Sequence, residues 1–310
     1  MPDRPKPSST IRKPTFRHRA QYLAYRVVVG VLQVVPERLA FLFGEGMGWV
    51  VGVCFRIRWR TVIEHLSEAF PEQDAKWCRA QARASFRHLG RQSVATFRLG
   101  KMGVEEVRRR TDVPGFEALK EAVAQGHGVI VATGHMGNWE VGGASVVAHG
   151  IPMGVVVQRQ RNPLFDIDIT GNRTRLGLTI IDRREAPRQV IRALRKGRAV
   201  GIAGDQNIRR GGVFVEFFGR QASTARGTAL FALRTGAPIF LMVVNCLPGI
   251  PQRYRVSFER VNFTPSGDMD LDVLRVTEAY MGNLEKWIRK SPEEYLWQHR
   301  RWKTRPPVEG

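Results

Sequence analysis

At 310 residues, 43% of them hydrophobic and 25% charged, the chain can bury a sizeable core as one large domain or two ordinary ones, which excludes wholesale disorder. Forty-nine Lys+Arg against 28 Asp+Glu leave a formal charge of +21, so indifference to nucleic acid, anionic lipid or acidic protein is excluded as well. The three cysteines, Cys54, Cys78 and Cys246, form no Cys-x-x-Cys pair; they exclude a disulfide framework or zinc ribbon and fit free thiols in a reducing compartment.

Residues 1–20 carry Arg4, Lys6, Arg12, Lys13, Arg17 and Arg19 against Asp3, among prolines and a Ser-Ser-Thr run, and read as a disordered basic tail. Residues 21–55 are mostly apolar and are expected to form a helical, membrane-associated segment. Pro36-Glu37-Arg38 divides it and Glu45 interrupts its second half, so neither half supplies the roughly 18 uncharged residues of a clean transmembrane helix. Arg56, Arg58 and Arg60 close it, and basic flanks suit insertion into the cytoplasmic leaflet. Gly44-Glu45-Gly46-Met47-Gly48 within it suits close helix packing.

Residues 56–305 read as one domain. Ala80, Ala84, Phe86, Leu89, Val94 and Phe97 recur at three- and four-residue steps, predicting helix through 60–110. Beyond Val113-Pro114-Gly115 the chain alternates. Helices are predicted at Phe116–Ala124, from Asn138, at Pro163–Leu176, Ala186–Lys196, Thr224–Arg234 and Leu271–Arg289. Strands are predicted at Val129–Thr133, Met153–Gln158, Leu178–Ile181, Ala199–Gly204, Phe214–Phe218, Ile239–Asn245 and, as an edge strand, Tyr254–Val261. Short apolar strands alternating with helices argue an α/β domain, a layered, largely parallel or mixed sheet flanked by helices.

No phosphate-binding loop, dinucleotide fingerprint, nucleophile elbow or metal-ligand spacing occurs, so no cofactor and no metal are expected. The chemistry concentrates in Thr133-Gly134-His135-Met136-Gly137-Asn138-Trp139-Glu140, between a buried strand and a helix. On one continuous helix His135 and Glu140 would lie about 140° apart. With His135 in the turn and Glu140 in the first helical turns, the two can converge at the strand's end, where α/β sheets bind ligands. A carboxylate on one imidazole nitrogen leaves the other free to take a proton from an attacking hydroxyl. A satisfied structural histidine is the competing reading.

The Gly-His-x-Gly-Asn-Trp-Glu run is a His-x4-acid motif. It closely resembles the late acyltransferases of lipid A biosynthesis, the lauroyl and myristoyl transferases of the lysophospholipid acyltransferase superfamily. The resemblance covers nearly the whole chain. It takes in the apolar anchor, the His65-Leu66 stretch running to Glu72, Gly204-Asp205-Gln206, Phe218-Gly219 through Gly227, Thr235-Gly236-Ala237-Pro238, and Tyr295-Leu296-Trp297-Gln298-His299-Arg300-Arg301-Trp302-Lys303-Thr304-Arg305-Pro306.

The resemblance implies a glycerolipid-acyltransferase-like fold and transfer of an acyl chain from acyl carrier protein, or acyl-CoA, to a hydroxyl of a Kdo-bearing lipid A precursor, without a covalent acyl-enzyme. It implies His135 as general base with Glu140 as its partner, and a functional Asp205. It also implies a functional arginine, best matched by Arg175 with Arg173 close by. An inner-membrane location with the catalytic domain on the cytoplasmic face follows from the same likeness. His65 departs from the asparagine that relatives often carry.

Charge fits that picture: residues 159–234 hold 16 basic and 6 acidic side chains. Arg209 and Arg210, just past Asp205, are the expected phosphate contacts, and Phe214, Phe217 and Phe218 are candidates for an acyl groove. The expected partners are therefore the acyl donor, an anionic glycolipid and a membrane surface. The same chemistry on another glycolipid, such as a phosphatidylinositol mannoside, is the near alternative. A membrane-tethered nucleic-acid binder is the remote one, because the basic residues lack the interleaved aromatics of nucleic-acid recognition; no nucleic acid is expected.

Overall fold

A computed structural model describes residues 13–307. Thr15 caps helix α1 (Phe16–Val34), so residues 16–20 of the expected basic tail are helical, and residues 1–12 lie outside the described ones. Pro36 ends α1 and starts α2 (Glu37–Trp49), which runs on into a π-helical turn at Val50–Cys54. Helices α3 (Trp59–Ala69), α4 (Ala75–Leu99) and α5 (Val104–Arg110) account for the predicted helical stretch.

The glycines of α2 act as expected, except Gly46. A Cβ on Gly44 would lie 2.7 Å from the carbonyl oxygen of Gly90 in α4, and one on Gly48 would lie 2.1 Å from that of Phe86. Gly90 reciprocates, its Cβ position falling 2.0 Å from the Gly44 oxygen. Backbone therefore meets backbone where α2 crosses α4. Glu45 is paired with Arg91 of α4 at 2.7 Å, which explains a charge inside an apolar segment.

The outer sides of α1 and α2 are unpaired with protein: Leu23, Val27, Val31, Val34, Leu39, Leu42 and Phe43 are each more than half exposed. No single helix among the described residues is long and apolar enough to cross a membrane. The pair Glu37–Cys54 and Trp59–Ala69, bent by 90°, is so only in combination.

The remaining elements build an α/β sandwich. They are β1 (Thr111–Asp112), α6 (Phe116–Ala124), β2 (Val129–Thr133), α7 (Trp139–Ala148), β3 (Met153–Val157), α8 (Pro163–Arg175), β4 (Thr179–Asp182), α9 (Ala186–Arg195) and β5 (Ala199–Ala203). Then come β6 (Gly212–Phe217), β7 (Arg220–Ala225), α10 (Gly227–Thr235), β8 (Ile239–Leu247), β9 (Arg253–Val261) and α11 (Met269–Lys290). Seven strands lie in the order β1-β9-β8-β2-β5-β3-β4, every neighbouring pair parallel except β8–β9.

Val129, Ile130 and Val131 of central β2 are wholly buried, each contributing about 1.5–3 kcal/mol. One hydrophobic cluster, with Val190 of α9 and Tyr280 of α11, fills one side of the sheet; a second, with Leu119 of α6 and Val141 of α7, fills the other.

The structure departs from expectation in four further places. β1 and β7 were not foreseen, and Thr224 sits in the β6–β7 hairpin rather than starting α10. β9 is not the edge, because two residues of β1 cover it. Phe217 and Phe218, offered as groove residues, are buried in the core against Trp297 and Trp302.

Candidate active site

Strands β2 and β5 are parallel neighbours with Thr133 beside Ala203, so the turns that follow them meet above the sheet. The first turn holds His135, the second Asp205. Gly137 makes the first turn possible: its φ is +58°, and a Cβ there would fall 1.8 Å from the Val244 carbonyl oxygen. Asn138 then caps α7, its side chain accepting from Val141 N at 3.1 Å and donating to Gln92 at 3.1 Å.

Asp205 grips His135 twice. One carboxylate oxygen lies 2.6 Å from Nδ1 and the other accepts the His135 backbone N–H at 2.8 Å. Burial alone would push the imidazole pKa down, but the charge and hydrogen bond of Asp205, helped by the charge of Glu140, override it and hold His135 above its ordinary value. Burial likewise works against the Asp205 carboxylate, and the charge and hydrogen bonds of His135 outweigh it, so Asp205 stays below the usual carboxylate range. With Nδ1 donating to Asp205, Nε2 turns outward, 3.2 Å from the Gln206 side-chain nitrogen. Trp139 closes one side with its ring edge-on at 4.8 Å.

The expected pairing of His135 with Glu140 is thus corrected: the carboxylate bonded to the imidazole belongs to Asp205. Glu140, one residue into α7, points at α8 and takes a two-pronged ion pair from Arg173, Nε to Oε2 at 2.9 Å and a second contact at 2.5 Å. Of the two candidate arginines, Arg173 is the one that reaches Glu140 beside His135. Two residues further along α8, Arg175 faces away and donates to the backbone oxygens of Met102 and Leu99 at the end of α4.

Arg209 and Arg210 are exposed on the loop after Asp205 and line neither cavity at His135. Arg159 and Arg161 line one instead. His65 is structural, its Nδ1 3.0 Å from the Trp297 carbonyl oxygen and its pKa pushed down to about 4 by burial.

Two cavities meet at His135, Trp139 and Glu140. The first, about 310 Å³, is mainly apolar and runs along α4 past Leu89 and Phe97 to Leu296. The second, about 680 Å³, is lined by Gln158, Arg159, Gln160, Arg161, Arg173 and Gln206. A third hollow of about 470 Å³ connects the same residues with Tyr25 of α1 and Phe165 of α8.

The C-terminal segment braces the turn that carries His135. Leu296 N donates to His135 O at 3.0 Å, and Gly137 N donates to Glu294 O at 3.0 Å. Arg301, 1% exposed, donates to Ser223 O at 2.8 Å and to Thr224 Oγ1 in the hairpin. Asn207 and Thr304 bond one another reciprocally at 3.0 Å, and His299 Nε2 accepts the Asn207 N–H. Sequence reasoning left Gln206, Arg159, Arg161 and Arg301 without a role. Gln206 and Arg301 stand in runs that carry the resemblance; Arg159 and Arg161 carried no signal that set them apart in so basic a stretch.

Comparison with known proteins agrees with this architecture. Residues 9–304 match the sequence profile of the bacterial lipid A biosynthesis acyltransferases. The chain is 30% identical over 312 residues to the lipid A biosynthesis lauroyltransferase of Escherichia coli K12, covering 99% of this chain and 98% of that one. It is 32% identical over 301 residues to the palmitoleoyltransferase of the same organism, with 95% of each chain covered. A phosphatidylinositol mannoside acyltransferase of Mycolicibacterium smegmatis is 27% identical over 162 residues, about half of either chain. A family match over nearly the whole length, on a fold that gathers the His-x4-Glu motif at the ends of parallel strands, leads to one conclusion: this chain is an acyltransferase belonging to the bacterial lipid A biosynthesis acyltransferase family.

Proposed function

We propose that the protein transfers a fatty acyl chain from a thioester donor, an acyl carrier protein, to a hydroxyl of a phosphorylated disaccharide lipid of the lipid A precursor class. The observation that carries this reading is that His135 Nε2 stands where an apolar cavity meets a basic, polar one. An acyl chain suits the first and an anionic sugar headgroup the second, so the atoms to be joined meet at the imidazole.

In this reading Nε2 takes the proton of the acceptor hydroxyl as its oxygen attacks the thioester carbonyl carbon. The C–S bond then breaks, and the departing thiolate receives the proton back from the imidazolium. Asp205 holds the tautomer and offsets the charge on the ring. Arg173, fixed by Glu140, presents a cation at the junction for phosphate or for the developing oxyanion. No covalent acyl-enzyme is needed. The exposed apolar sides of α1 and α2 lie against the cytoplasmic leaflet of the inner membrane, and the hollow reaching Tyr25 gives the lipid a way in.

The test is transfer from acyl carrier proteins loaded with different chain lengths to radiolabelled Kdo-lipid A precursor, using the purified full chain. The expected result is one added chain, lost in His135→Ala. Because part of the chain also resembles a phosphatidylinositol mannoside acyltransferase, that mannoside is the second acceptor to assay. Product on the mannoside alone would overturn the acceptor assignment, and full activity in His135→Ala would overturn the base.

A further inference from the structure

Behind the catalytic turn, away from the His135–Asp205 pair, three groups able to ligate a metal converge from three elements. A ring nitrogen of His88 on α4, the Cys246 sulfur on β8 and a carboxylate oxygen of Glu294 just after α11 all lie within 4.8 Å of one another. Such a cluster could be a self-sufficient hydrogen-bonded knot, but it is not. His88 Nε2 is buried and bonds to neither neighbour, nor to any other described residue, while the ring's other nitrogen is turned to the backbone of Gly137. That is the disposition of a histidine whose tautomer is set by a carbonyl and whose free lone pair awaits an acceptor.

Glu294 accepts the Cys246 backbone N–H on both oxygens, at 3.1 and 3.2 Å, and has no cationic side chain paired with it among the described residues. No hydrogen bond joins the three side chains to one another, and they lie within 4.8 Å, which leaves room for one ion whose bonds of about 2.0–2.3 Å in a tetrahedron would put its ligand atoms roughly 3.3–3.8 Å apart.

We propose that His88, Cys246 and Glu294 form a binding site for one zinc-type divalent cation. One nitrogen, one sulfur and one oxygen donor is a set that zinc accepts and that magnesium or calcium does not. His88 and Glu294 both line the apolar cavity, so a fourth position for water opens there. The ion ties α4, β8 and the C-terminal segment together around Gly137, two residues from His135, and acts as a clamp on the turn. It takes no part in the transfer step, and the site stands whether or not the proposed acceptor is right.

The experiment uses the full chain, purified reduced in detergent without a polyhistidine tag, and reads metal content by mass spectrometry. Cobalt(II) is then added to chelator-treated protein. We expect about one zinc per chain, a thiolate-to-cobalt charge-transfer band in the near ultraviolet, and a melting temperature that rises with zinc. Cys246→Ser loses the band, and Glu294→Gln binds at least about tenfold more weakly. Absence of both retained zinc and the cobalt band in folded wild-type protein overturns the proposal. So does stoichiometric zinc that is unchanged in the Cys246→Ser, Glu294→Gln double variant, which would place the ion elsewhere. Should a variant not fold, the zinc content and cobalt band of wild type still decide whether the site binds a metal.

Discussion

Replacing Asp205 by Asn separates the two tasks that this carboxylate performs. It accepts both the Nδ1–H and the backbone N–H of His135, from a side chain only 2% exposed. An amide has one oxygen for those two donors, so one N–H must face an NH₂ group, and the charge that favours the imidazolium disappears. Losing a charge-assisted, buried partner at the moment the ring becomes charged costs about 2–4 kcal/mol, or roughly 30- to 1000-fold in kcat.

The pH dependence supplies the sharper reading. If His135 is the base, wild-type kcat/KM should rise with pH as the imidazole deprotonates at a value that Asp205 and, secondarily, Glu140 hold above the ordinary one against burial. In Asp205→Asn, burial remains and the main attraction is gone, so the acid limb must move to lower pH while the plateau falls. The same pair sets a stability window. His135 contributes fully below its unfolded value of about 6.5 and loses that contribution as pH rises through its raised folded value. Asp205 contributes above about 3.9 and loses it as pH falls through its depressed folded value. The pair therefore stabilises most between about 4 and 6.5, and the variant's melting temperature should fall furthest behind wild type there. An acid limb that stays in place would refute the assignment of His135 as the titrating base held by Asp205.

Arg173→Ala leaves the largely buried Glu140 carboxylate without its ion pair, costing about 1–3 kcal/mol in stability and at least about tenfold in turnover. Arg175→Ala, measured beside it by melting and transfer, should lose about 1 kcal/mol of stability and little activity, since it removes only bonds to the Met102 and Leu99 carbonyls. Arg161→Ala should raise KM for the acceptor about fivefold, worth ~1 kcal/mol, whereas the double change Arg209→Ala, Arg210→Ala leaves it near wild type; the reverse ranking would move the headgroup to the loop. Val27→Asp with Val31→Asp should cut binding to anionic vesicles at least about tenfold without lowering the melting temperature, because both side chains are more than half exposed. Vesicle binding equal to wild type would remove α1 from the membrane face.

Much of this was legible beforehand, for identifiable reasons. β2 and α7 announce themselves through an unbroken apolar run, a glycine-rich turn and a capping Asn138. Asp205 was legible only through the family resemblance, because the sequence does not order the strands that bring its turn beside that of His135. What stayed hidden depends on how helices face one another. Glu140 was near enough in sequence to pass for the partner of His135, yet the rotation of α7 aims it at α8. There the spacing of Arg173 and Arg175, not their chemistry, decides which guanidinium reaches it. β7 escaped notice because Arg220-Gln-Ala-Ser-Thr-Ala lacks the aromatic and β-branched density of a strand and is held by its hairpin partner and Arg301. The cluster of His88, Cys246 and Glu294 has no spacing to detect, since only the packing of α4, β8 and the C-terminal segment brings it together.

The glycine-lined crossing of α2 and α4 has a mechanical consequence. At Gly44, Gly48 and Gly90 backbone packs on backbone, with Phe41 and Val94 buried beside the crossing, so α2 and α4 are expected to move as one body. Its near end carries the apolar side of α2, and along its length α4 presents Leu89 and Phe97 to the reaction chamber. If α1 and α2 rest on a membrane as proposed, this close crossing sets the height of His135 above it, and an acceptor hydroxyl would have to reach that level to meet the imidazole.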